Sequence, residues 1–486
     1  MVTASGGDAP QVGEAKPPIG RVLLVSATAA LGGFLFGYDT AVINGAVNAV
    51  GEAFNHQDDI VLGLAVAIAL IGAAIGATYA GGLADRFGRI RVMVLAAAVF
   101  LISAIGSGFA FTIYDLALWR LIGGIGVGAA SVIAPAYIAE VSPAHLRGRL
   151  GSLQQMAIVT GIFIALLVDY VLVAASATDQ VPDGSASSAL WGLTAWRWMF
   201  LSLAIPALVY GLMALTIPES PRYLVAKHDE DGAAKVLSRY VGGDVRAKIA
   251  EIAESLRGKQ EKPSFSSLRG PGGKLLPIVW VGIMLSVFQQ FTGINVIFYY
   301  SSTLWQAVGF TERDALMVTV ITSVTNIVTT LIAIALVDRV GRKPLLLVGA
   351  AGQFVCLLAM AIVFGLAPLV ADPSKPGEFI PHLGATAPIA LVAANLYVVF
   401  FGCSWGPVVW VMLGEMFNNK IRAMALAVAA SAQWLANFIV STSFPPLKNL
   451  GLGVAYGIYT LFALLAVVFV IRFVQETKGK ELEEMV

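Results

Sequence analysis

The chain has 486 residues, 58% of them hydrophobic and 13% charged, with a net charge of +1 and a mean hydropathy of +0.81. A water-soluble fold of this composition would expose large apolar patches, which excludes a soluble enzyme, a disordered chain and a disulfide-stapled secreted domain. The charge leaves no footprint for nucleic acid, and a bilayer is the natural solvent, with room for about a dozen spans of roughly 20 residues.

Residues 1–21 read as a polar tail, with Lys16 and Arg21 ahead of the first apolar run. That run, 22–50, is too long for the core of a cleaved signal peptide and is read as a retained span. Apolar segments at 60–84, 92–112, 115–139, 150–175 and 195–217 complete a six-span unit over 22–217. A linker over 218–274 follows. Within it, residues 222–274 hold 11 Lys/Arg and 7 Asp/Glu, and helical spacing over Asp231–Tyr240 and Val245–Leu256 predicts short amphipathic helices. A second six-span unit over 275–474 comprises 275–307, 315–337, 344–369, 386–414, 423–444 and 450–474, and residues 475–486 form a tail. The expected fold class is an all-α membrane protein of twelve transmembrane helices in two six-helix bundles.

Lys and Arg set the orientation. One set of connections holds Arg86, Arg89, Arg91, Arg147, Arg149, Arg339, Arg342, Lys343, Lys420 and Arg422, with the basic linker on the same side. The other set holds few cations, and the loop 51–59 carries only Glu52, Asp58 and Asp59. Both termini are therefore expected in the cytoplasm. Cys356 and Cys403 lie far apart in apolar stretches, the four histidines show no ligand spacing, and no metal or cofactor site is predicted.

The halves repeat. Asp85-Arg86-Phe87-Gly88-Arg89 recurs as Asp338-Arg339-Val340-Gly341-Arg342, each after the second span of its half. Glu140 precedes Arg147 by seven residues and Glu415 precedes Arg422 by seven, each after a fourth span. Matching order at matching spans argues for a duplicated unit.

With these motifs, the sequence resembles the sugar porter family of the major facilitator superfamily from Gly33 to Lys480. Pro-Glu-Ser-Pro-Arg at 218–222, Gln-Gln-Phe-Thr-Gly-Ile-Asn at 289–295, and Asp-Arg-Val-Gly-Arg-Lys-Pro at 338–344 carry the resemblance further. So does Gln-Glu-Thr-Lys-Gly at 475–479, which has Gln475 where the family usually has Pro. The resemblance implies the major facilitator fold and alternating access, with two bundles rocking about a central site. It also implies that Asp85, Arg86, Arg89, Glu140 and Arg147, with their counterparts Asp338, Arg339, Arg342, Glu415 and Arg422, gate the cytoplasmic ends. Arg222 would tie the linker to this network. Orientation by positive charge is a second role for the same arginines.

Two ionisable residues lie well inside apolar segments: Asp39, 17 residues past Val22, and Arg120 in the fourth. A mid-bilayer charge costs about 2.5–3.5 kcal/mol on insertion scales. The residues alone allow two readings equally, a proton-binding carboxyl whose pairing with Arg120 biases a two-state equilibrium, or a permanent ion pair that fixes packing. The resemblance favours the first, since proton-coupled sugar porters carry Asp and Arg at these positions while animal facilitators have Asn at the first.

A sugar presents hydroxyls that both donate and accept. Asn and Gln match that chemistry, and aromatic faces match the ring's C–H surface. Gln155, Gln289, Gln290, Asn295, Asn326, Trp410, Gln433 and Trp434 match cavity positions of the family, and Phe36 and Tyr299 match wall positions. For any lone amide, interhelical packing is the commoner role. Ile162 follows Gln155 by seven residues. Pentose-transporting relatives can carry Gln there and hexose facilitators Ile, so the resemblance leans toward a hexose.

The glycine pairs Gly33/Gly37, Gly72/Gly76 and Gly124/Gly128 predict close helix packing. Gly406-Pro407 is expected to interrupt the tenth span, either as a bend or gate beside the sugar or as an ordinary membrane proline. The expected function is a proton-coupled symporter of a glucose-like hexose, the alternatives being a sugar uniporter or a symporter for xylose or a polyol such as inositol. A non-transporting sensor is disfavoured by the short tail, a membrane enzyme by the absence of catalytic motifs, and an ATP-driven pump by the absence of a P-loop. A monomer in the lipid bilayer of a bacterial inner membrane is expected, its partners a sugar and a proton.

Overall fold

The computed structural model describes residues 19–55, 59–143, 147–242, 244–257, 265–270, 273–306, 308–371, 379–417 and 421–478. Twelve of its helical stretches are long and apolar enough to cross a membrane. The chain is a multi-pass membrane protein. The first six spans are α1 (Ile19–Ala41) with α2 (Ile43–Ala53), α3 (Asp59–Phe87), α4 (Arg89–Gly108), α5 (Ile113–Val141), α6 (Arg147–Ala175), and α7 (Ala195–Ser202) with α8 (Ala204–Ala214). The last six are α12 (Pro277–Phe291) with α13 (Ile294–Gln306), α14 (Glu312–Val340), α15 (Arg342–Leu366), α16 (Ala387–Gly402) with α17 (Trp405–Glu415), α18 (Arg422–Leu450) and α19 (Leu452–Phe473). Between them lie α9 (Pro221–Ala226), α10 (Glu230–Val236), which widens into a π-helical turn to Val241, and α11 (Val245–Arg257). The amphipathic stretches of the linker are thus helical, as their spacing predicts.

Spans one, six, seven and ten are each split in two, which apolar run length does not reveal. The first and seventh occupy equivalent places in the two halves. In span seven the break falls at Thr292-Gly293, where Gly293 has φ of +86° and a Cβ would lie 2.9 Å from the Tyr459 ring. Both facts require glycine. In span ten the break is at Cys403-Ser404, with Ser404 at φ −138° and ψ −89°. The sequence places the interruption at Gly406-Pro407, a few residues later. Pro407 instead sits in the first turn of α17, where an N–H has no intrahelical acceptor and its loss is tolerated.

Small residues let the helices of the first bundle touch backbone to backbone. A Cβ on Gly72 or Gly76 of α3 would meet the carbonyls of Leu121 or Ile125 at 2.2 Å, and one on Gly124 or Gly128 of α5 those of Ala69 or Ala73 at 2.0 Å. Gly37 of α1 lies against the Ile158 carbonyl of α6, and Gly161 of α6 against that of Phe34. These interlocked pairs fulfil the packing role read from the sequence.

Candidate functional site

The two ends of the molecule differ in what holds them. At the end bearing the arginine motifs, each half builds the same latch. Arg89 grips Glu140 bidentately, Nε to Oε2 and Nη2 to Oε1, both at 3.0 Å, and donates from Nη1 to the Ala84 carbonyl at 3.1 Å. Arg342 grips Glu415 in the same way at 3.0 and 2.7 Å, and donates to the Val337 carbonyl at 3.0 Å. Asp85 adds an ion pair to Arg89 at 3.1 Å, but its side chain is largely exposed, so that pair contributes little. The side chains of Arg147, Asp338 and Arg422 lie outside the described residues.

Two carboxylates that the sequence motifs contain, but to which they assign no role, complete these latches. Glu219 accepts from the backbone N–H groups of Arg89 and Ile90 at 2.9 and 3.2 Å, and Glu476 from those of Arg342 and Lys343, both at 2.9 Å. Each caps the start of a membrane helix, where N–H groups are orphaned and the dipole favours an anion. The next residue closes the unit, Ser220 Oγ donating to Glu140 Oε2 at 2.5 Å and Thr477 Oγ1 to Glu415 Oε2 at 2.7 Å. Gly88 and Gly341, at φ +97° and +102°, let the carboxylates approach. The signal was present as a third repeat: Glu219-Ser220 and Glu476-Thr477 both follow the last span of a half. The linker is tied in by Glu219 and Ser220, whereas Arg222 contributes its backbone N–H to Ser220 Oγ at 3.2 Å. Arg86 and Arg339 participate through their carbonyls, which accept from Tyr223 and Lys478.

Burial pushes the Glu476 carboxyl up, but four backbone N–H bonds outweigh it and hold the group below its ordinary value of 4.5. Its stabilisation is present above that ordinary value and is lost as pH falls through the lower folded value, so the cap persists through neutral pH. Glu219→Ala and Glu476→Ala are each expected to cost about 1 kcal/mol, as for lost caps. Being on different bundles, they are expected to add in the double variant, read as thermal shifts of the purified protein.

At the opposite end the hydrogen bonds run between the halves. Asn44 of α2 donates to the Phe298 carbonyl at 3.0 Å, and its Oδ1 and carbonyl accept from the N–H and Oγ of Ser302 at 3.3 and 2.6 Å. Asn48 accepts from Thr303 at 3.2 Å and donates to Gln306 at 3.3 Å. Glu312 at the start of α14 accepts from the Ala186 N–H at 3.0 Å, and Arg313 lies over the Tyr170 ring. Measured interhelical bonds in membranes average about 0.6 kcal/mol, so the five bonds between α2 and α13 contribute roughly 3 kcal/mol to the contact between the halves. The sequence gives none of these residues a role in joining the halves.

Between the ends lies a polar cluster centred on Gln289. Its Nε2 donates to the carbonyls of Trp405 and Gly406 at 2.8 and 3.1 Å, beside the break in span ten. Its Oε1 accepts from Gln433 Nε2 at 2.5 Å and Gln290 Nε2 at 3.3 Å. Asn295 Nδ2 donates to Gln290 Oε1 across the break in span seven. Both glutamines thus join one network, because the break redirects the chain between Gln290 and Asn295. Gln433 Oε1 is buried and unpartnered, an acceptor with nothing to accept. Trp434 packs against Phe36 of the other half, with ring centroids 5.5 Å apart and planes tilted by 49°. Tyr299 accepts a long 3.5 Å bond from Asn437.

The other predicted residues are placed differently. Gln155 and Ile162 are half-buried on α6, and the Ile162 backbone packs against Gly37. The neighbouring Gln154 is the buried one, wedged against Gly33 with both amide atoms unpartnered. Asn326 is set into the contact of α14 with α16, its Oδ1 3.3 Å from where a Gly402 Cβ would be. Trp410 stands 41% exposed on α17.

Asp39 and Arg120 are 3% and 2% exposed, yet among the described ion pairs none joins them within 4 Å. Asp39 Oδ2 and Arg120 Nε and Nη1 are buried without partners, while Arg120 Nη2 donates to the Val66 carbonyl at 3.4 Å and its guanidinium lies over Phe200. The direct pair considered from the sequence is open in this conformation.

The family described as Sugar (and other) transporter matches residues 25–486. The chain belongs to this family. It is a transporter and not an enzyme. A glucose transport protein of Synechocystis is 58% identical over 96% of this chain and 97% of its own. A D-xylose-proton symporter of Escherichia coli is 37% identical over 96% of this chain and 95% of its own. The inward open conformation of the xylose transporter XylE from E. coli superposes with a TM-score of 0.78 at 37% identity, covering 96% of this transporter and 99% of that chain. Another structure in this group is described as a proton:xylose symporter of the major facilitator superfamily, and the transporter has that fold.

Proposed function

We propose that the transporter is a proton-coupled symporter of a glucose-like hexose in a bacterial inner membrane, working as a monomer by alternating access between units 22–217 and 275–474. The linker 218–274 and both tails, 1–21 and 475–486, lie in the cytoplasm. The arginine latches then mark the cytoplasmic end, and the bonded α2–α13 ladder is a closed outer gate. This conformation is inward-facing, in keeping with its likeness to an inward open relative.

The observation that carries the reading is the amide cluster of Gln289, Gln290, Asn295 and Gln433 beside the Phe36–Trp434 ring contact, at the level where two helices break. Gln290, Asn295 and Gln433 present donors and acceptors to sugar hydroxyls, and Gln289 spends its own amide orienting them. Gln155, Tyr299, Trp410 and Trp434 complete the cavity wall, with Ile162 supplying an apolar patch. Asn326, set into the α14–α16 contact, stands behind that wall. Asp39, buried with a free oxygen and no direct ion pair, carries the proton, and Arg120 is the cation it engages when ionised. Asp85, Arg86, Arg89, Glu140, Arg147 and Arg222 with Asp338, Arg339, Arg342, Glu415 and Arg422 gate the cytoplasmic end.

Counterflow in proteoliposomes tests the substrate. Labelled D-glucose is expected to exchange with internal D-glucose, with D-xylose and myo-inositol competing more weakly. Ile162→Gln adds one amide to the wall and is expected to shift the preference toward xylose by about fivefold, the worth of one hydrogen bond. Exchange of xylose or inositol in preference to glucose by the unaltered protein would contradict the hexose assignment.

A further inference from the structure

Asp169 lies in α6 with no exposed surface, and its Oδ1 is buried without a partner. Its Oδ2 accepts from the Gly45 backbone N–H of α2 at 3.2 Å. Gly45 sits in the first turn of the half-helix that follows the break in span one, where N–H groups have lost their intrahelical acceptors. It has no room for a side chain: a Cβ there would meet Cβ, Cγ and Oδ2 of Asp169, each at 2.9 Å. The residue before it is Asn44, which makes three of the bonds that close α2 on α13. A membrane-buried carboxyl with one backbone partner is costly unless it performs a task.

Resting on the reading of the α2–α13 ladder as a gate, we infer that Asp169 is a positioning residue of that gate. Its side-chain oxygen holds the start of α2 against α6, which aims Asn44 and Asn48 at α13 and favours the closed outer end. What matters is an acceptor at Oδ2 and the absence of a side chain at Gly45. An amide can replace the carboxyl, and an apolar side chain cannot.

Three variants test this: Asp169→Asn, Asp169→Leu and Gly45→Ala. The last dislodges the carboxyl without altering it, and all three are checked for monodispersity and bound sugar. Loss of one hydrogen bond is expected to shift the closed-to-open ratio by about fivefold. Because outside sugar binds only the open state, the external half-saturation concentration falls by a comparable factor in Asp169→Leu and Gly45→Ala. The maximal rate of counterflow falls with it, since closure becomes harder. Asp169→Asn is expected to match the unaltered protein on both counts. Unchanged parameters in both Asp169→Leu and Gly45→Ala would overturn the inference, as would an Asp169→Asn variant as impaired as Asp169→Leu. Failure of the unaltered protein to exchange any sugar would instead overturn the transport reading on which it rests.

Discussion

Asp39→Asn is expected to abolish accumulation of sugar in energised vesicles and to leave counterflow intact. Asn keeps the shape and hydrogen-bonding capacity of the side chain but cannot exchange a proton. One proton per sugar moving down 100 mV supplies about 2.3 kcal/mol, a concentration ratio of about fifty. The variant is expected to reach a ratio of one. A permanently paired Asp39 would give a different result. Breaking a buried pair costs about 3–5 kcal/mol and would lower stability and counterflow together. No ion pair within 4 Å joins Asp39 to Arg120 in this conformation, so Asp39→Asn breaks no direct contact between them. Thermal stability measured beside uptake separates the two cases.

Gln289→Ala is expected to weaken sugar binding by about thirty- to a hundredfold. Gln289 is the hub through which Gln433, Gln290 and the start of α17 are held in register. Truncating it leaves buried polar groups on three helices without partners, at about 1–3 kcal/mol for each. Much of that loss falls on binding, because the freed amides must be reordered around the sugar. Asn326→Ala serves as the contrast. Its amide is set into the α14–α16 contact, and its removal is expected to change affinity by less than about fivefold. Equilibrium binding of labelled sugar to purified protein measures both. Equal effects would show that the amides act as independent contacts.

The fold was largely legible because a bilayer leaves so few options. Every span must be a helix with its own hydrogen bonds satisfied, so apolar run length and repeated basic motifs specify the twelve spans. The breaks within spans were not legible. Gly293 has to be glycine both for its positive φ and because Tyr459, far along the chain, leaves no room for a side chain. The Gly406-Pro407 pair marks the right span, but the interruption lies at Ser404, since proline at the start of a helix continues it.

The site was legible in its chemistry more than in its geometry. Gln289, Gln290, Asn295 and Gln433 meet in one network, as amides matched to sugar hydroxyls would. Which residue reaches which depends on the break in span seven. Asp169, a lone carboxylate in Leu-Leu-Val-Asp-Tyr-Val, carries the same mid-bilayer cost as Asp39. It had no visible partner because that partner is a backbone N–H in another helix. The ladder of Asn44 and Asn48 onto Ser302, Thr303 and Gln306 escaped for the same reason. Each residue alone is an ordinary polar side chain, and only the approach of α2 to α13 gives them a joint role.

The most direct test of symport is sugar-induced proton movement in sealed proteoliposomes holding a pH-sensitive dye, with no imposed gradient of potential or pH. Adding D-glucose outside is expected to acidify the lumen as sugar and protons enter together, and the signal is expected to vanish in Asp39→Asn while counterflow persists. Glucose entry with no luminal pH change at any pH tested would show uncoupled transport and contradict the account.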